Sequence, residues 1–411
     1  MGDVGRTRAE SATYSRPVPV SRKRKKSSKS TAAARGERRR AHTRQVRMAQ
    51  SLRDVAAAHE SGRAMRIELA RPHAVVLAGE LTASSATGTA LEDDLCARLG
   101  PLLADLDERP TEEYVGPDHL AAALAGVLED AGDGEPARRV RAALAAILPS
   151  ALLADTGMES LDPEVAGEVR WTRDRYGSRF AVVAPFATPE GPVRWYLWDI
   201  DACGFIPLPV HAGFYASPEE ALAAWQVGVG AFAAGGTSWR RIDDSGLLAD
   251  LLPKTEEVAT LGGESAEQFT EYHRCRRLAE VVLDLPPVLS PSAPETALDV
   301  GPERFVSWWR RRAWGPEPAD LEVLAEDLFD SWPAAAPALF DTCSPHRVAS
   351  VSHQIRDEYR DGADALLALL PAWVTWLSER TGLLPELRER ALARIGAGTV
   401  PDGDLMRRVA E

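Results

Sequence analysis

Two consecutive apolar runs constrain the fold of this 411-residue chain more than any other feature of its sequence. RFAVVAPF and VRWYLWDID are rich in β-branched and aromatic residues, and the turn-forming segment ATPEGP separates them. This pattern predicts an antiparallel hairpin. The following GFIPLPVHA predicts a third strand, which Pro207 and Pro209 restrict to a sheet edge because proline cannot donate a ladder hydrogen bond.

A helix start follows the third predicted strand. Ser217 is the expected N-cap, Pro218 lies in the first turn and Glu220 is at capping-box spacing. Three strands followed by one helix predict a small α+β module over residues 160–245.

Helical spacing of apolar residues dominates the sequence on both sides of this module. On the N-terminal side a helical bundle with a basic leading helix is expected over residues 36–155. A short strand is expected near residues 65–77, between the leading helix and the other helices. On the C-terminal side, prolines near helix starts predict a helical domain over residues 246–411, with helices beginning near residues 301, 318, 345, 371 and 385.

The N-terminal segment has a different composition. Residues 1–35 contain almost no large apolar side chains, so they are expected to form a disordered basic arm. The expected fold class is therefore mainly α, with a small α+β module of a three-stranded antiparallel sheet plus a helix, and a disordered basic N-terminal arm.

Charge is divided unevenly between the arm and the rest of the chain. Residues 1–50 hold 15 basic and 3 acidic side chains, a net charge of +12, although the whole chain carries −13. Four of the five lysines fall between positions 23 and 29, directly after Val20, which is an alternative to Met1 as the first translated residue. Such asymmetry is typical of an arm that contacts nucleic acid or another acidic surface.

The basic side chains of this segment are the predicted nucleic-acid-binding residues. They can neutralise phosphates and release counterions without recognising base sequence. DNA or RNA is the expected partner of residues 21–47, with contacts from Arg22, Lys23, Arg24, Lys25, Lys26, Lys29, Arg38, Arg39, Arg40 and Arg44.

The resulting functional hypothesis is a non-enzymatic accessory protein. Its arm contacts nucleic acid without sequence specificity, and the acidic remainder of the chain engages a protein partner. Two alternatives stay open: a protein-interaction scaffold with an inert tail, and a metal-dependent hydrolase that uses Asp199 and Asp201. Both aspartates lie at the end of a predicted strand and on the same side, with Asp243 and Asp244 as possible spatial neighbours.

Cysteine and histidine spacing offers a weaker metal hypothesis. Cys343 and His346 have C-x-x-H spacing, and a zinc site is conceivable with His353, Asp357, His273 and Cys275. Because Ser344 and Pro345 are typical of a helix start, a buried Cys343 thiol is the favoured interpretation. No metal ligand, catalytic residue or cofactor is therefore assigned.

Aromatic residues near positions 195 and 308 could stack on bases. Helical spacing instead places Phe305, Trp308 and Trp309 on one face, which predicts core packing. Strand alternation places Trp195 on one sheet face and Tyr196 and Trp198 on the other.

The sequence lacks the signals that are typical of several protein classes. The four cysteines are too scattered for a disulfide framework, and no run of about 18 apolar residues predicts a membrane span. A cytoplasmic protein without a membrane partner is expected. The sequence also contains no Walker A, G-x-S-x-G or H-E-x-x-H motif.

Overall fold

A computed structural model gives the fold. It describes residues 62–107, 114–159, 163–188, 191–253, 269–285, 301–359 and 362–395, all of which belong to one unit of the chain, His59–Glu411. The basic arm and the predicted nucleic-acid-binding residues lie outside these ranges. Within them, no helix is both long and apolar enough to cross a membrane.

The first part of the described chain is helical. Buried leucines and alanines of its helices form one continuous core. The helices are α1 (Arg63–Ala83), α2 (Gly88–Asp107), α3 (Pro117–Asp130), α4 (Glu135–Ile147) and α5 (Ser150–Thr156).

The strand predicted near residues 65–77 is wrong, because this segment belongs to α1. The buried side chains of Ala70, Ala74, Leu77 and Leu81 recur at helical spacing, and they pack against α3. Pro72 lies inside the helix.

A five-stranded antiparallel sheet follows, so the prediction of three strands is wrong. The strands are β1 (Arg170–Arg173), β2 (Arg179–Thr188), β3 (Gly191–Asp201), β4 (Leu208–Tyr215) and β5 (Arg240–Arg241), in the spatial order β4-β3-β2-β1-β5. The predicted hairpin corresponds to β2 and β3. The strand that contains Pro209, β4, lies at an edge as expected, and Pro207 directly precedes it.

Helices cover both faces of the sheet. On one face, Tyr196 and Trp198 of β3 pack with Leu251 of α8 (Ser245–Leu251) and Cys275 of α9 (Tyr272–Leu283). On the other face, Leu197 packs with Trp225 of α6 (Pro218–Val229), and the short α7 (Ala231–Ala234) follows. The face that carries Leu197 also carries Asp199 and Asp201, since alternate strand residues share a face.

The C-terminal part of the described chain is helical around an aromatic core. Its elements are α10 (Pro302–Arg312), α11 (Leu321–Ser331), a 3₁₀ turn (Pro337–Leu339), α12 (Pro345–Glu358), α13 (Ala363–Thr381) and α14 (Pro385–Leu392). Phe305, Trp308 and Trp309 are buried in this core together with Trp373, which confirms their predicted role in packing. Pro371 does not begin a helix but lies inside α13.

Candidate metal centre

A cavity of about 420 Å³ lies beside the end of β3. The rest of its wall is formed by residues 174–179 between β1 and the start of β2, residues 228–233 at the end of α6 and in α7, the start of α12 and residues 390–394 at the end of α14 and just beyond it. Asp201, Cys203 and His346 line it, and one ligand atom from each of these residues lies within 4.8 Å of the other two. A carboxylate, a thiol and an imidazole thus meet at the surface of a cavity large enough for a small molecule.

The chain just after β3 holds two of these groups in a tight turn. The Cys203 N–H donates a 2.7 Å hydrogen bond to Oδ1 of Asp201. This contact leaves Oδ2 of Asp201 facing His346, with 3.3 Å between Oδ2 and Nδ1. The Cys203 Sγ lies 2.9 Å from Oγ of Ser344, so the turn also touches the start of α12.

His346 is placed by the N-terminus of α12. Ser344 is the N-cap and accepts a hydrogen bond from the Arg347 N–H, while Pro345 occupies the first helical position. His346 is therefore the second residue of the helix, and its ring lines the cavity. The sequence features that predicted a helix start here are those that position the imidazole.

The His346 Nδ1 is buried, and no described group accepts or donates a hydrogen bond at this atom. The carboxylate 3.3 Å away is close enough for strong electrostatic attraction but is not aligned for a hydrogen bond. Burial opposes a charged ring, yet Asp201 and Cys203 together raise the pKa of His346 to about 10. Without a metal, the arrangement therefore favours a protonated imidazole beside the ionised carboxylate, and a metal ion bound there would replace this proton.

Asp201 is held in its charged form. Burial alone would raise its pKa, but His346, Arg179 and the Cys203 N–H keep the pKa of this carboxyl well below its usual range. Ionised carboxylate, thiolate and imidazole are the ligand types that zinc prefers, and tetrahedral zinc places its ligand atoms about 3.3–3.8 Å apart. The 3.3 Å between Asp201 Oδ2 and His346 Nδ1 falls in this range, and all three ligand atoms lie within 4.8 Å of one another.

Arg347 fixes the backbone behind the cluster. Its side chain is fully buried, and its guanidinium donates to the carbonyl oxygens of Ala202 at 2.8 Å and Cys203 at 3.0 Å. The same group donates to the carbonyl oxygens of Leu339 at 2.7 Å and Thr342 at 3.0 Å. A single side chain thus joins the turn after β3 to the loop before α12.

Asp199 does not belong to the cluster, although it was paired with Asp201 as a possible metal ligand. Its Oδ1 and Oδ2 accept hydrogen bonds from Nε and Nη2 of Arg179 at 2.6 and 2.8 Å, and Oδ1 also accepts from Nε1 of Trp225 at 3.1 Å. These contacts occupy the carboxylate. Asp243 and Asp244 line a different cavity of about 330 Å³, beside Trp171.

The other proposed zinc ligands are not brought together. Cys343 is buried in the C-terminal aromatic core, as the favoured interpretation predicted. His353 pairs with Asp357 on the exposed surface of α12, and His273 contacts Asp118. Only His346 of that set lies in the cluster, and its cysteine partner is Cys203 instead of Cys343.

The aromatic residues of β3 are not an open stacking platform. Tyr196 and Trp198 are fully buried on one face of the sheet, and Trp195 is half-buried on the other, as strand alternation predicted. Tyr196 donates a hydrogen bond to Glu271, and Nε1 of Trp198 donates to the carbonyl oxygen of Cys275.

The chain was compared with known proteins. No family model, no curated protein and no solved structure matches it. The cluster geometry therefore carries the functional argument alone.

Proposed function

We propose that the protein is a metal-dependent hydrolase whose active site is the cavity beside β3. Asp201, Cys203 and His346 are the metal ligands, and zinc is the metal that suits one oxygen, one sulfur and one nitrogen ligand. The observation that carries the proposal is the convergence of these three ligand atoms at the surface of a cavity of about 420 Å³. Asp199 is assigned a supporting role through Arg179.

Asp201, Cys203 and His346 would hold the metal, and the cavity beside them would admit water and substrate. A metal held there would lower the pKa of a water molecule and so prepare it to attack an electrophilic carbon or phosphorus atom. The proton released from that water would pass to the leaving group as its bond to the substrate breaks, so the products would be those of hydrolysis.

The first test is metal analysis of full-length protein purified without chelator. We expect about one zinc ion per chain, and a thiolate-to-cobalt absorption band when cobalt replaces it. Cys203→Ala and His346→Ala should lose the metal. Cys343→Ala is the matched control because this thiol lies in the aromatic core and should leave the metal content unchanged.

Two results would contradict the metal site. One is purified protein without zinc that also shows no thiolate band when titrated with cobalt. The other is a metal content equally reduced by Cys343→Ala and Cys203→Ala, since that would reflect general loss of structure. Ester and phosphoester hydrolysis by the metal-loaded protein, absent in His346→Ala, then tests the reaction.

The N-terminal arm supports a second, separate proposal: contact with DNA or RNA without sequence specificity. The supporting observation is the net charge of +12 within residues 1–50 of an otherwise acidic chain. This proposal concerns an accessory role, with a protein partner for the acidic part, and does not depend on the metal site.

Fluorescence anisotropy over a salt titration tests the arm. Wild type is compared with a full-length variant in which the six basic residues between positions 22 and 29 are glutamine. On duplex DNA we expect a log-log slope of about −0.9 for each phosphate contact, and a shallower slope for the variant. Equal binding, or no binding to DNA or RNA, would favour the scaffold with an inert tail.

A further inference from the structure

Arg390 and Phe232 form a stacked pair on the wall of the cavity. The Arg390 guanidinium carbon lies 3.6 Å from the centre of the Phe232 ring, and both residues line the cavity. Arg175 holds the same segment in place. Its Nη1 donates to the carbonyl oxygen of Phe232 at 3.1 Å, and its Nη2 pairs with Glu386 at 3.2 Å.

This stacking leaves the edge of the Arg390 guanidinium available. An aromatic ring covers one face of the planar group, while the N–H donors point outward in the plane. Within the described part of the chain, no carboxylate forms an ion pair with Arg390. The neighbouring Arg175 forms an ion pair with Glu386. Of the two arginines beside Phe232, Arg175 therefore stabilises the fold and Arg390 has donors left for a ligand.

The charges that line the cavity favour an anion. The charge of Asp199 is offset by Arg179, and in the proposed function the charges of Asp201 and Cys203 are offset by the metal. Arg390 then stands at the end of α14 as a cation that lines the cavity and has no carboxylate partner among the described residues.

We propose that the cavity binds the anionic oxygen group of its substrate, a phosphoryl or carboxylate group, at the edge of Arg390. The inference rests on the proposed function, since the metal site supplies the reaction and Arg390 supplies the substrate anchor. A stacked arginine presents parallel donors that match two oxygens of such a group.

Isothermal titration calorimetry of the metal-loaded, full-length protein tests this. Inorganic phosphate and acetate are the two probes, and they distinguish a phosphoryl from a carboxylate site. We expect saturable binding of at least one probe, weakened about tenfold or more in Arg390→Gln. Arg390→Lys should recover only part of the loss because it keeps the charge without the planar fork.

Arg388→Gln is the matched control, since Arg388 lies on the same helix but does not line the cavity. Circular dichroism and metal content are recorded for every sample. Equal affinity in wild type and Arg390→Gln would overturn the inference, because the anion would then bind the metal alone. Absence of binding by both probes would overturn it as well.

The metal measurements separate this inference from the proposed function. If protein without metal binds phosphate or acetate and this binding is weakened in Arg390→Gln, the anion site is supported and the metal-dependent hydrolase is contradicted. If the protein binds metal but its anion affinity is the same in wild type and Arg390→Gln, the proposed metal site is retained and the anion site at Arg390 is rejected.

Discussion

The indole Nε1–H of Trp225 donates a hydrogen bond to Oδ1 of Asp199 at 3.1 Å, which ties α6 to the end of β3. The same carboxylate holds the guanidinium of Arg179. A buried ion pair of this kind is costly to break from one side, because the remaining charge stays buried without its partner.

We therefore predict that Asp199→Asn lowers the free energy of unfolding by about 3 kcal/mol. Trp225→Phe should cost about 1 kcal/mol, since Asp199 keeps Arg179 when the indole donor is removed. Urea denaturation measures both. Metal content should not change in either variant. If Asp199→Asn loses the metal while its fold is unchanged, Asp199 is itself a metal ligand.

A second prediction concerns Arg347. Replacing it with methionine should lower the free energy of unfolding by at least about 3 kcal/mol, because several buried carbonyl oxygens lose their donor. Arg347→Lys should cost about 2 kcal/mol, since an ammonium group cannot span the turn after β3 and the loop before α12 together.

Arg356→Met, on the same helix and partly exposed, is the control for Arg347 and should change stability by less than about 0.5 kcal/mol. Denaturant titration followed by tryptophan fluorescence gives all three values. A cost for Arg347→Met no larger than that of the control would show that the carbonyls find other donors.

A third prediction follows from the pKa of Asp174. Burial raises this pKa from 3.8 to about 6, although the carboxyl accepts hydrogen bonds from the backbone N–H groups of Ser178 and Arg179. Between pH 4 and 6 the folded protein then binds one proton more than the unfolded chain. Stability contributed by this group therefore decreases as the pH rises through that window, by about 3 kcal/mol in total.

Asp174→Asn removes this dependence because asparagine keeps an acceptor for both N–H groups and does not titrate. The measurement is the free energy of unfolding of wild type and variant at several pH values from 4 to 7. The difference between the two proteins should grow in favour of the variant as the pH increases. A difference in the free energy of unfolding that does not change with pH would show that Asp174 has the same pKa in the folded and the unfolded protein.

A fourth prediction concerns metal removal. A ligand that binds only the folded protein at a hundred times its dissociation constant stabilises it by about 2.7 kcal/mol. A chelator should therefore lower the melting temperature of wild type, and added zinc should restore it. Cys203→Ala should melt at the same temperature with and without chelator, whereas Cys343→Ala should behave like wild type.

Sequence patterns identified the longest elements of the sheet and missed the shortest. The strands β2 and β3 have enough β-branched and aromatic residues to show their period, and Pro207 and Pro209, before and within β4, indicate an edge. In contrast, β1 has four residues and β5 has two, Arg240 and Arg241, so no period exists to recognise. These strands form because their neighbours offer free ladder positions.

The candidate site was harder to predict than the fold. The helix start at Ser344 was visible, and it places His346, but spacing suggested Cys343 as the partner. The cysteine that lies beside His346 is Cys203, more than a hundred residues earlier in the chain. It follows β3 and is positioned by a tight turn that belongs to no sequence motif. Local spacing carries no information about such a pair, because tertiary contacts through Arg347 align the two segments.

The hydrogen bond from Arg347 to the carbonyl oxygen of Cys203 spans 144 residues of chain. During synthesis, the turn after β3 leaves the ribosome long before its donor does, and its carbonyls must stay hydrated until α12 arrives. The cavity is completed later still, because Arg390, Ala393 and Arg394 at the end of α14 and just beyond it also line the cavity. A nascent chain that ends before residue 390 therefore lacks part of the cavity wall.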